Sequence, residues 1–139
     1  MATTGGTKAG DPLGDAVFNM VQYKVLQECE SQLQVAELVI NIPRAYFDTS
    51  SPGPTTSFTH TSYVDDALFA FQGDPQNILA RTSEAMHIIE RVFAAHGIRL
   101  NMEVGKTEFA YIAFGEGARK VRHLVAASGG IFFTSCGRQ

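Results

Sequence analysis

The sequence predicts an α+β fold, an antiparallel sheet packed against two helices, and three observations predict it. Two Asp-Pro pairs, Asp11-Pro12 and Asp74-Pro75, each precede apolar residues recurring at helical spacing. Between them lies Ser62-Tyr63-Val64-Asp65-Asp66-Ala67-Leu68-Phe69-Ala70-Phe71, a carboxylate pair with β-branched and aromatic residues on both sides. Short apolar runs follow the second helix, at Ile98 to Asn101 and about Phe109 to Phe114. Strands paired over long range with helices to one side make an α+β layer arrangement.

The N-terminal residues Gly5-Gly6-Thr7-Lys8-Ala9-Gly10 form a Gly-rich leader. Asp11-Pro12 then starts a helix, since Asp is a preferred N-cap and Pro fits the first helical position. Leu13, Val17, Val21 and Val25, with Ala16 and Met20 beside them, continue through Cys29, Leu33 and Ala36. This near-helical period predicts one helix from about Pro12 to the mid-thirties, its apolar stripe packing on the sheet. Pro43 and Ser50-Ser51-Pro52-Gly53-Pro54 mark a loop. A hairpin is expected at about Thr56 to Gln72, with Asp65 and Asp66 at or next to its tight turn, where Asp tolerates a left-handed backbone.

Asp74 and Pro75 predict the next helix start, and Leu79, Thr82, Met86, Ile89 and Phe93 step by three and four. Gly97 is placed to end it in the left-handed conformation. Ile98 to Asn101 and Phe109 to Phe114 read as strands around a turn at Gly105. The tail over 116–139 is ambiguous, and Ile131-Phe132-Phe133-Thr134 offers one further strand.

At 139 residues the chain is one domain or part of one. A net charge of −3 argues against gripping nucleic acid by bulk electrostatics alone. Arg119-Lys120-Val121-Arg122-His123 is the clearest local basic segment. Two widely separated cysteines, Cys29 and Cys136, and no secretory signal predict reduced thiols and an intracellular setting, nucleus or cytoplasm. No stretch is long enough to span a membrane. The four histidines lack zinc-site spacing.

Adjacent strand residues face opposite ways, so both carboxylates can reach one metal centre only near a turn. A solvated Asp-Asp turn is the alternative, and what flanks the pair decides between them. Tyr63-Val64-Asp65-Asp66 resembles the Tyr-x-Asp-Asp box of reverse transcriptases. Gly6-Thr7-Lys8-Ala9-Gly10-Asp11-Pro12-Leu13 resembles the family's preceding box, commonly Gly-x-Arg-Gln-Gly-Asp-Pro-Leu. Gly97-Ile98-Arg99-Leu100-Asn101, with Gly105-Lys106-Thr107-Glu108, resembles its later Gly-Leu-x-Leu-Asn … Lys-Thr-Glu segment, which points to the non-LTR retrotransposon branch. The boxes stand in the family's order and span about Gly5 to Phe114.

The resemblance implies a partial right-hand polymerase palm over 1–115 and RNA-directed DNA synthesis, with an RNA template, a DNA primer and dNTPs as partners. It implies Mg²⁺ or Mn²⁺ as cofactor, suited to carboxylate oxygens and a two-metal nucleotidyl transfer. Asp65 and Asp66 become metal ligands and catalytic residues. Lys106 becomes a catalytic lysine near the triphosphate, although a surface lysine in a turn has the same appearance. Gly6, Lys8, Gly10 and Tyr63 become contacts to substrate or template.

Two departures limit the implication. Ala9 stands where many family members carry Gln, which removes a template-positioning amide. The family's first metal-binding carboxylate precedes the Gly-rich box, and the fingers and a recognisable thumb are missing. A palm fragment, inactive alone and prone to associate through an unpaired sheet edge, is therefore expected. The alternatives are a non-catalytic palm remnant that binds nucleic acid or protein, and an unrelated metal-dependent phosphotransfer enzyme.

Overall fold

The computed structural model describes residues 12–43, 55–63, 66–103, 105–112 and 114–127. Its elements are α1 (Pro12–Val35), β1 (Ile40–Pro43), β2 (Thr55–Phe58), β3 (His60–Tyr63), β4 (Asp66–Phe69), α2 (Ile78–Ala95) and α3 (Ala118–Ala127). The chain is mixed α+β, as expected. Helix α1 has the predicted extent, whereas α2 starts later than Asp74-Pro75 implies. The Asp74 carbonyl instead accepts the Asn77 and Ile78 N–H groups in a turn at 3.0 and 2.9 Å, and Asn77 caps without a side-chain bond.

The core is the seam between α1 and α2. Val25, Cys29 and Leu33 of α1 pack with Ala85, Met86, Ile88, Ile89 and Val92 of α2, and Leu38 completes the cluster. At its rim the Arg91 Nη2 donates to Gln32 Oε1 at 2.6 Å, and His96 Nε2 meets Glu28 Oε2 at 2.8 Å. Higher-numbered residues of α1 thus pair with lower-numbered residues of α2, so the helices run antiparallel. The stripe read along α2 is buried or half-buried throughout, and the hydroxyl of buried Thr82 is satisfied by the Ile78 carbonyl at 2.7 Å.

The stripe along α1 needs correction. Leu13, Val17, Met20 and Val21 are exposed, while Gly14, Gln22 and Leu26 are buried in their place. Each four-residue step overshoots a full turn by about 40°. A stripe built from such steps moves about 200° round the helix between Leu13 and Leu33. It cannot face one partner along its whole length, and the α2 seam takes the C-terminal half.

Both long helices end in the same hydrogen-bonded cap. Ile98 N–H donates to the Phe93 carbonyl at 2.9 Å and Gly97 N–H to Ala94 at 3.0 Å, with Gly97 at φ 76° as expected. At the end of α1, Leu38 N–H donates to Leu33 at 2.8 Å and Glu37 N–H to Gln34 at 3.0 Å, but the left-handed residue there is Glu37 at φ 56°. A side chain in this conformation costs about 1–2 kcal/mol. Gly97→Ala should therefore destabilise the protein and Glu37→Gly stabilise it, each by about 1 kcal/mol, shifting the midpoint of denaturant unfolding in opposite directions.

In place of one sheet there are two separate antiparallel ladders, β1–β2 and β3–β4. Strands β2 and β3 are separated only by buried Thr59, whose carbonyl accepts Ala70 N–H at 3.0 Å and extends the second ladder. Residues 98–101, 109–112 and 114 form no strand. Ile98, Leu100 and Phe109 do pack against the core, yet no backbone ladder meets them among the described residues. Strand propensity records the burial of such side chains, which here occurs without pairing. Within the ambiguous tail, 118–127 is helix α3, resting on buried Ala118 and Val121; the strand expected at 131–134 lies outside the described residues.

Burial pushes the Cys29 thiol up from 9.0 to about 12, and the neighbouring Glu28 charge adds to the rise. In the unfolded chain the thiol loses its proton near 9.0, whereas in the folded chain it keeps it. The contribution is thus complete below pH 9.0 and is lost as pH rises toward 12, by up to about 1.4 kcal/mol per pH unit. Unfolding free energies measured upward from pH 9.0 should fall less steeply in Cys29→Ala.

Candidate functional site

Tyr63 and Asp66 are directly opposed across the β3–β4 ladder, followed by Ser62↔Ala67, Thr61↔Leu68 and His60↔Phe69. The antiparallel pairing agrees with the expected hairpin, while residues 64 and 65, where its turn is expected, lie outside the described residues. The strands themselves are shorter than the expected span of Thr56 to Gln72, because Thr56 belongs to the other ladder. Asp65 lies outside the described residues, as do Gly6, Lys8 and Gly10.

The two faces of the hairpin differ. His60 and Ser62 turn toward α1, where they share a cleft with Asn19, Gln22, Tyr23 and Leu26. Strand alternation puts Thr61 and Tyr63 on the other face. Their cross-strand partners Leu68 and Asp66 share that face. Tyr63 is 81 % exposed and Leu68 60 % exposed, so Tyr63 is presented to solvent and not packed. Asp66 is exposed as well.

The hairpin is anchored at its open end. His60 and Phe69 lie ring to ring at 5.7 Å, and Phe69 and Phe71 pack on the helical core. Arg81 of α2 ties the exit of the hairpin to the helices: its Nε donates to the Gln72 carbonyl at 3.3 Å and its Nη2 to the Glu37 carbonyl. Tyr63 and Asp66 form the opposite end of the ladder from these anchors.

Lys106 sits in a loop organised by Asn101. The Asn101 Oδ1 accepts Glu103 N–H at 3.0 Å, and its carbonyl accepts the Thr107 hydroxyl at 2.6 Å. The Lys106 N–H completes the turn on the Glu103 carbonyl at 3.0 Å. Asn101, expected at the end of a strand, instead holds this loop together with Thr107. Their job is now visible, and an Asn two residues before the amide it holds is a recognisable Asx turn. Lys106 is exposed, and among the described residues no hydrogen bond or ion pair joins it to the hairpin.

The described carboxylates do not by themselves compose a metal centre. Among the described residues no group of three His, Cys, Asp or Glu side chains converges as metal ligands would. Asp66 supplies one exposed carboxylate, which fits a single ligand position for Mg²⁺ or Mn²⁺. No helix among the described residues is long and apolar enough to cross a membrane. No protein-family model, curated protein or solved structure matches the chain.

Proposed function

We propose that the chain is the palm segment of an RNA-directed DNA polymerase of the non-LTR retrotransposon kind, working within a larger polymerase assembly. The observation that carries this is the opposition of Tyr63 and Asp66 as the last pair of the β3–β4 ladder. It brings Tyr63 and Asp66, two residues of the Tyr-x-Asp-Asp box, to the exposed end of a ladder whose other end packs on the core. Such a tip can meet a primer end, and its carboxylates can serve Mg²⁺ or Mn²⁺ together with a carboxylate from elsewhere in the assembly.

Two further features support the proposal. The Asn101-centred loop holds the Lys-Thr-Glu segment in a defined turn that presents Lys106 to solvent. Helix α3 exposes Arg119, Lys120, Arg122 and His123 and carries no acidic residue. In a chain of net charge −3, this is a local place for an RNA or DNA backbone, since phosphate neutralisation drives such binding. The outer edges of the two ladders are where additional palm strands, or a second copy, would pair.

The second reading is a palm-like module that binds nucleic acid or protein without chemistry. It is favoured by exposed Arg119, Lys120, Arg122 and His123 on α3, which can meet a nucleic-acid backbone without a metal centre. Primer extension on an RNA template with Mg²⁺ or Mn²⁺ separates the two. It is run on this chain and on the chain joined to an upstream strand carrying an aspartate. Product from the joined chain alone is the expected result; binding of the primer–template without product from either chain would favour the module.

A further inference from the structure

The cleft between α1 and the inner face of β3 lies behind the hairpin, on the side away from Tyr63 and Asp66. It has a volume of about 340 Å³ and is lined by Asn19, Gln22, Tyr23, Leu26, His60 and Ser62. That volume is near the lower end of small-molecule sites, which run from about 300 to 1,000 Å³. A single ring with a substituent, or a small bicycle, is the size of guest it suits.

Gln22 is the informative residue. It occupies the buried side of α1 and is only 8 % exposed, yet its amide makes no hydrogen bond to another described residue. Its polar atoms are not sealed off either, and Gln22 lines the cleft. A largely buried amide left to water forgoes a bond that a complementary guest would supply. Nothing in the packing of α1 requires Gln here: Val25, Leu26, Cys29 and Leu33 make the apolar contacts of the same face.

The chemistry of the lining selects the guest. A Gln amide presents one acceptor oxygen beside a donor NH₂, the complement of an amide or lactam edge. Tyr23, 63 % exposed, and His60 contribute aromatic rings, and Leu26 contributes an apolar wall. Among the described residues neither Lys, Arg, Asp nor Glu lines the space, so an anion entering it would lose hydration without a counter-charge from them.

We propose that this cleft binds a small uncharged ring compound bearing an amide or lactam edge, with Gln22 as the recognising residue. Because His60 and Ser62 alternate along β3 with Thr61 and Tyr63, an occupant holds the inner face of the hairpin against α1. The site is independent of the polymerase proposal, since its binding needs no metal, primer or template.

The test is an NMR titration of the ¹⁵N-labelled chain with nicotinamide and with uracil, and with benzoate as an anion of similar shape. Saturable shifts at the Gln22 side-chain amide and the Ser62 backbone are expected with nicotinamide or uracil and not with benzoate. Gln22→Leu should weaken binding by at least about tenfold. If that variant does not fold, Ser62→Leu, at an exposed position on the opposite wall, should weaken it similarly. Absence of saturable shifts with both amide probes, equal binding of benzoate, or undiminished binding by the folded variant would overturn the proposal.

Discussion

Asp65→Asn, introduced into the chain joined to an aspartate-bearing upstream strand, should lower Mg²⁺-dependent primer extension by at least about 100-fold. Asn keeps the size and turn tolerance of Asp but carries no charge, so the loss would report on the carboxylate and not on the hairpin. Asp66→Asn should be similarly damaging. Tyr63→Phe should be mild, because its exposed ring is retained. The fold should be untouched in each case, since Tyr63 and Asp66 are exposed at one end of the ladder while its other end is held by Phe69, Phe71 and Arg81. Extension that survives Asp65→Asn at the parental rate would remove the metal-ligand assignment.

Leu33→Ala should be the most damaging single change to stability. Leu33 is fully buried in the α1–α2 seam, and its carbonyl accepts the Leu38 N–H in the cap that ends α1. Truncating such a side chain costs about 2–5 kcal/mol, a large part of the roughly 5–15 kcal/mol that holds a typical domain together. Val35→Ala, two residues away but 84 % exposed, should change stability by no more than about 0.5 kcal/mol. Chemical denaturation of the pair checks both, and a small effect at Leu33 would mean the seam is not the core.

What the sequence revealed depended on whether the deciding interaction was local. Helix α2 was legible because its three- and four-residue spacing and the Gly97 stop act within a few residues of one another. The hairpin was legible for the same reason, as strand-forming residues flank a turn-tolerant carboxylate pair. The facing of α1 was not, because an apolar residue every four positions drifts round the helix and only the partner decides which half is buried. Gln22 sat unnoticed among the polar residues of α1, and its signal was its phase with Val25, Cys29 and Leu33.

The strands expected at 98–101 and 109–114 failed for a related reason. Ile98, Leu100 and Phe109 do cover the core, as their apolar character indicates, but pairing needs a neighbouring backbone that no local pattern supplies. The loop ahead of Lys106 shows the converse. Asn101 and Thr107 were visible as motif residues, while the two hydrogen bonds that make them a turn required the folded chain. At the candidate site, the opposition of Tyr63 to Asp66 agrees with the sequence, and Asp65 lies outside the described residues.

The central claim is that the Tyr63–Asp66 hairpin end binds the divalent cation of a nucleotidyl-transfer site. Mn²⁺ added to the ¹⁵N-labelled chain, with a primer–template hybrid and nucleotide present, tests it most directly through paramagnetic broadening. The account predicts selective loss of the Tyr63 and Asp66 amide signals at low Mn²⁺, and their retention when Asp65 and Asp66 are both Asn. Broadening centred elsewhere, or unchanged by the double substitution, would contradict it.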